Sequence, residues 1–400
     1  MKGKIKKRVL KLTALFVAVL VLYMANSQLL IRTGMSAESH IRNFYREPKN
    51  TIDVAFIGSS EMYADYSAPL AYDRCGYTSY NLCFDGAVGL YYGSMLKEFM
   101  SRQDPQLVVI EVNGYFYTEE RSHQEGSVRK WLDNMHKNSN WAGEISKNIP
   151  REEQINYYFN LFKYHSNWAR PEGQTQRLKD LIRNDSTKVS MMKSFGTRTA
   201  TKSVAKVKRK GSPKMYDFGE QCLDETISVC KELGIENVLF IRVPHKDKLD
   251  DKTSDRIEKI VTDAGYDYVN FERMSDQIGI DEDKDYYNGE HMNVFGNEKN
   301  TAFIADYISE HYDLDTSHSE EVDAQWRECA DYTKGIFEVL GSRTLENEDL
   351  AYGEYSDFSD EARDELLARR ERKKKEKAEK EKKGEKFEDE LEEEPPPPEG

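Results

Sequence analysis

The sequence predicts an α/β fold: a three-layer sandwich on a five-stranded, mostly parallel sheet, preceded by one transmembrane helix. Two observations carry this. From about residue 52 to residue 311, short apolar runs alternate with amphipathic segments, the signature of strands and helices taken in turn. Ahead of them, residues 12–31 (LTALFVAVLVLYMANSQLLI) run for twenty positions without a charge.

At 1.5 Å per residue that run covers about 30 Å, the thickness of a bilayer's hydrocarbon core. The six Lys/Arg of residues 1–11 are expected to stay cytoplasmic, so residues 12–31 read as a signal anchor and the body as extracytoplasmic. A cleaved signal peptide is the rival, with Ala25 and Ser27 as small residues near a cleavage spacing. Either way the body works outside the cytoplasm, and the anchor reading places it at the cell membrane.

Strands are expected at 52–57 (IDVAFI), 77–82 (YTSYNL), 107–112 (LVVIEV), 236–242 (ENVLFIR) and 266–271 (YDYVNF). Helices are expected at 66–74, 88–102, 216–233, 251–264 and 295–311, the last with Phe295, Ala302, Phe303, Ala305 and Ile308 on a helical repeat. Together they define an α/β domain over residues 50–345, interrupted by an insertion at 117–215 that is too long for a simple crossover. Its first part is aromatic and suggests helices beside the sheet or a lid. Its second, residues 186–214, holds nine Lys/Arg and no acid, a positive loop that is either solvated or attracts an anionic polymer or headgroup. Residues 355–400 are charge blocks followed by four prolines, which build no core and read as a disordered or lone helical tail.

With 400 residues the chain can bury a large core, and a net charge of -14 argues against a general nucleic-acid binder. The five cysteines show no metal-ligand spacing, and a Cys75–Cys83 disulfide is left open. Neither a phosphate-binding glycine loop nor a cofactor motif is visible, so no cofactor and no metal are expected.

In a parallel α/β sheet, ligands bind at the carboxyl ends of the strands. There the sequence places Gly58-Ser59-Ser60-Glu61, then Asn81-Leu82-Cys83-Phe84-Asp85-Gly86, then Asn113, and near the domain's end Asp285 through Asn293. A hydroxyl, backbone amides, a side-chain amide and an imidazole are the groups acyl transfer needs. Ser60 is the expected nucleophile and His291 its base. The N–H groups of Ser60 and Gly86 and the amide of Asn113 are the expected oxyanion donors. Ser59 reads as a turn residue whose hydroxyl satisfies local backbone, and Asn293 as the cap of the last helix. Past the fourth strand, Arg242 and His245 face the carboxyl edge; His245 reads first as a polar rim residue, and together with Arg242 as a candidate for binding an anionic group of a donor or acceptor.

These blocks, IGSSE, NLCFDG, VVIEVN and NGEHMN, resemble in order those of the SGNH (GDSL-type) hydrolase-fold family, over roughly residues 50–312. GSSE, HMN followed by Phe-Gly, and the preceding anchor are most similar to the teichoic-acid D-alanyl transfer proteins and the anchored polysaccharide O-acetyltransferases. The resemblance implies a flavodoxin-like sheet, Ser60 as nucleophile, and a serine that carries or transfers an acyl group. It also implies a multispanning membrane acyltransferase as partner and an envelope glycopolymer as acceptor. An esterase of the same fold, and a non-catalytic assembly or carbohydrate-binding protein, are the alternatives.

The sequence departs from the family pattern twice. Glu111 stands where a glycine is common, and Asn288 where the Asp of Asp-x-x-His is expected. An amide can hold an imidazole but cannot offset its positive charge. Three readings stay open: a Ser60–His291 dyad, a role for Asp285 (ranked above Glu290) as the acid, or a weak or inactive site.

Overall fold

The computed structural model describes residues 2–30, 36–169, 189–196, 211–245, 247–345 and 375. Five strands, β1 (Val54–Gly58), β2 (Ser79–Cys83), β3 (Leu107–Glu111), β4 (Val238–Arg242) and β5 (Asp267–Asn270), form one sheet in the order β2-β1-β3-β4-β5. Every pairing is parallel. Each residue of β1 to β4 is buried, which is why β1, β3 and β4 read as near-continuous apolar runs and not as alternating ones. β5 lies at the edge and begins on an exposed Asp267.

This order is that of a flavodoxin-like doubly wound sheet. The chain moves one way from β1 to β2 and the other way thereafter, so right-handed crossovers place the connecting helices on opposite faces. Helix α1 is Lys2–Leu30, α2 is Ser60–Asp65, α3 is Ala68–Cys75, α4 is Tyr92–Met100 and α5 is Asp217–Glu232. After these come α6 (Asp251–Asp263), α7 (Val294–His311) and α8 (Glu320–Leu345). α7 and α8 pack on α3, and α5 on α4, giving one helical layer on each side of the sheet.

Strand and helix positions follow the sequence expectation to within a few residues, with three differences. The chain turns helical at Ser60, directly after β1, where a turn was expected. α8 was not anticipated; it docks through Trp326 on Tyr72, with ring centroids 5.4 Å apart. The buried stripe of α7 is Asn297, Asn300, Thr301, Ile304, Ala305 and Ile308, whereas Phe295, Ala302 and Phe303 are only half-buried.

The insertion contributes short helices, among them Glu125–Leu132 and Ser139–Asn148, whose Trp131 and Trp141 are buried in the main core. Part of the basic stretch is not a solvated loop. Within 189–196, Lys193 is buried, 2.7 Å from a buried Glu47 and 4.8 Å from the Trp326 ring, and Phe195 packs on Phe337. The remainder of 186–214 up to residue 210, and nearly all of the 355–400 tail, lie outside the described residues. All five thiols are free, so Cys75 and Cys83 form no disulfide. Helix α1 carries one span, Ile5–Ser27, long and apolar enough to cross a membrane; it is exposed along most of its length, with only Tyr23 half-buried and Ser27 buried near its C-terminal end.

Candidate functional site

The carboxyl ends of β2, β1 and β3 lie side by side, with Gly58 opposite Cys83 and Ile57 opposite Ile110. The strand order reverses between β1 and β3, and such a switch point is where doubly wound sheets bind ligands. Gly58 is required by the close approach of its neighbours. A Cβ there would lie 2.9 Å from the Glu111 Cβ and 3.1 Å from the Met62 Cβ. The glycine therefore lets β1 run straight into α2 beneath β3.

Ser59 and Ser60 are not equivalent. Ser59 has no exposed surface, and its hydroxyl is held by Glu61 Oε2, by Glu111 Oε2 at 3.2 Å and by the Asn113 amide at 3.4 Å. It thus satisfies carboxyl groups and not local backbone. Ser60 opens α2 with 9% exposure, and its Oγ donates to Glu61 Oε2 at 3.4 Å. Of the two, only Ser60 keeps any exposed surface.

A buried polar network lies under these serines. Burial, reinforced by the Glu61 carboxylate, pushes Glu111 up to about 8 against the pull of Arg242. A hydroxyl has one proton for two carboxyl neighbours. With Glu111 protonated, Glu111 donates to Ser59 and Ser59 to Glu61, and each proton is used once. Arg242, expected as an anion ligand at the rim, has no exposed surface. Its Nε donates to Glu272 at 2.8 Å and its Nη1 to Asn113 Oδ1 at 3.0 Å, and Glu111 is 3.7 Å away. It therefore fixes which way the Asn113 amide faces.

That amide faces Glu61. Asn113 Nδ2 donates to Glu61 Oε1 at 2.6 Å, and the Asn113 N–H donates to Glu111 Oε1 at 2.8 Å. His245 accepts the Asp247 N–H on Nδ1 at 3.0 Å, which leaves the Nε2 proton toward Glu61 Oε1, 3.9 Å away. The Glu61 carboxylate thus sits among the Ser60 hydroxyl, the Asn113 amide and His245, the place expected for an acyl oxygen. Gly86 adopts a left-handed conformation (φ 64°) in the turn after β2, closed by Ala87 N–H to Phe84 O at 3.1 Å.

The loop bearing His291 is tied to α2. The Met292 N–H donates to Asp65 Oδ1 at 2.9 Å; burial, the main cause, raises the Asp65 carboxyl well above its usual range. From α7, Asn297 Nδ2 donates to Ala64 O at 2.7 Å and Asn300 Nδ2 to Asp65 O at 2.8 Å. These are carbonyls that the end of a helix leaves unsatisfied. Asn293 caps α7 by accepting from Phe295 and Gly296, as expected. Gly296 has no room for a side chain, since a Cβ would lie 2.4 Å from Asp285 O.

Asn288 takes the orienting position. Its Oδ1 accepts the N–H groups of Glu290 (2.7 Å) and His291 (2.9 Å), so the oxygen end of the amide is fixed. The same oxygen is 3.1 Å from His291 Nδ1, which must then carry the proton. His291 Nε2 is left as a buried lone pair with no partner among the described residues, and the ring stacks on Tyr287 at 5.4 Å. Asp285 is turned elsewhere, 2.8 Å from Lys299 Nζ and 2.7 Å from the Asp281 N–H. Ser60 Oγ and His291 Nε2 are not hydrogen-bonded to each other in this structure.

Glu61, Asp65, Asn297 and Asn300 were not singled out from sequence. The detectable signal was Asn297, Asn300 and Thr301 at helical spacing on the face that continues as Ile304, Ala305 and Ile308, a polar half to an apolar stripe. No protein-family model and no curated protein matches this chain.

Proposed function

We propose that the chain is a membrane-anchored, extracytoplasmic serine acyltransferase. It moves an acetyl-type group through Ser60 and His291 to a hydroxyl of an envelope polysaccharide or teichoic-type polymer. The observation that carries this reading is the state of His291. A pinned side-chain carbonyl holds the proton on Nδ1, so the unpartnered Nε2 is the tautomer a general base requires. Ser60 is the reachable hydroxyl at the end of β1, and its N–H, that of Gly86 and the Asn113 amide are the candidate oxyanion donors. The partner in this reading is a multispanning membrane acyltransferase that supplies the acyl group.

The resemblance of the four sequence blocks supports transfer over hydrolysis. Hydrolysis of p-nitrophenyl acetate by the purified full chain should fall by at least about 10³-fold in Ser60→Ala, the scale of losing an activated nucleophile. Equal rates would sink the enzymatic reading. Acetylated oligosaccharide seen by mass spectrometry separates transfer from esterase action.

A further inference from the structure

Outside α1, the large apolar side chains exposed among the described residues are Ile155 (49%), Tyr158 (40%), Phe159 (44%), Phe162 (59%) and Tyr216 (49%). Four of these five fall within eight residues of the insertion. That stretch, Ile155–Tyr158 and Leu161–Tyr164, is two-faced. Tyr157 and Asn160 turn inward, Tyr157 lying under the Arg129 guanidinium at 4.2 Å, while the four apolar side chains turn outward. An exposed apolar cluster of this kind marks an interaction surface.

Its position says which one. This segment and the turn after it, His165–Ala169, hold the C-terminal end of α1: the Phe159 ring meets Tyr23 edge-on at 5.9 Å, and Asn167 Nδ2 donates to Leu30 O at 2.7 Å. The apolar span of α1 ends at Ser27. Tyr23 lies four residues inside that end, about 6 Å at 1.5 Å per residue. Interfacial segments bury their apolar faces to about 5–10 Å. A ring touching Tyr23 therefore reaches the depth such segments occupy, and two Phe and a Tyr are the side chains a bilayer interface accepts. Lys163 and His165, exposed beside the cluster, suit the headgroup level.

We propose that residues 155–162 form a membrane-docking surface, seated in the leaflet at the C-terminal end of α1, with lipid as its occupant. The proposal rests on the reading of α1 as a membrane span. It gives the domain a second attachment beside the anchor, which fixes the domain's tilt on the bilayer.

Spin labelling tests it on the full chain in vesicles of phosphatidylcholine and phosphatidylglycerol, with Cys75→Ser removing the half-exposed thiol. A nitroxide on Phe162→Cys should show an oxygen-to-nickel-chelate collision ratio several-fold above that of one on Glu258→Cys, an exposed site on α6. Matching thermal unfolding of the two labelled chains excludes misfolding as the source. Equal ratios, with α1 resistant to carbonate extraction, would overturn the docking surface and leave the anchor standing. Release by carbonate would instead remove the membrane reading itself. A label that is wet in pure lipid but protected in native membrane vesicles would overturn the lipid assignment in favour of a membrane-embedded protein partner.

Discussion

Asn288→Asp places a carboxylate where the structure has a carbonyl 3.1 Å from His291 Nδ1. The change is close to isosteric. An aspartate Oδ1 still accepts the N–H groups of Glu290 and His291, so the loop and the Nδ1-protonated tautomer are retained. What is added is one negative charge beside a ring that becomes positive in the transition state. At a separation of about 4 Å and an effective dielectric constant near 20, the Coulomb energy is about 4 kcal/mol. His291 is half-buried, and solvent screening cuts this to about 1.5–3 kcal/mol, a gain of about 10- to 150-fold in rate.

The wild type also differs from the serine-protease Asp→Asn variant, which loses about 10⁴-fold because its amide enforces the wrong tautomer. Here two backbone N–H donors fix the oxygen of Asn288 toward the ring, so Nδ1 keeps its proton, and in the proposed mechanism the difference from an aspartate is the charge. The assay is kcat/KM for p-nitrophenyl acetate across pH 5–9, with wild type and variant at matched thermal stability. The variant should be faster, and the acid limb of its profile should lie at higher pH. A rate unchanged or lowered at every pH would refute the assignment of Asn288 as the residue that orients the base.

The Glu61 carboxylate occupies the space between Ser60 Oγ and the Asn113 amide, so Glu61→Ala should free both and raise esterase turnover by about 10-fold; a loss as deep as that of Ser60→Ala would show that Glu61 is required instead. Glu111 carries a proton in the native state that the unfolded chain gives up near its ordinary 4.5. Its stabilising contribution is thus present in full below about 4.5 and lost as pH rises through about 8, with a slope of up to about 1.4 kcal/mol per pH unit. Urea unfolding from pH 5 to 9 should show stability falling in that window, and Glu111→Gln should flatten the fall. Asn297→Ala leaves the buried Ala64 carbonyl unpaired, and should cost about 1–3 kcal/mol in the same assay.

How much of this was legible in the sequence follows from what each feature depends on. The buried strands are written as apolar runs (VAFIG, LVVIE and VLFIR), and a parallel sheet forces the residues just past them onto one edge, so Ser60, Asn113 and His245 were readable as neighbours. α8 was not legible because its contacts, Trp326 on Tyr72 and Lys334 with Asp73, join residues some 250 apart, and its own pattern is mixed. Arg242 was misplaced for a related reason. An arginine past a strand looks like a rim residue until the two acids that bury it, Glu272 and Glu111, are seen beside it.

The missing carboxylate at residue 288 shows the limit most clearly. From sequence, an asparagine in that place differs from an aspartate only by its charge. What decides its effect is which end of the amide meets the ring, and that is set by the backbone N–H groups of the two residues before Met292. The same amide presented nitrogen-first would hold His291 in the tautomer that cannot accept a proton on Nε2. In the acyltransferase reading proposed above, the tautomer of His291 therefore depends on the loop conformation, which Asp65, Asn293 and Gly296 fix beside α2 and α7, and not on the identity of residue 288 alone.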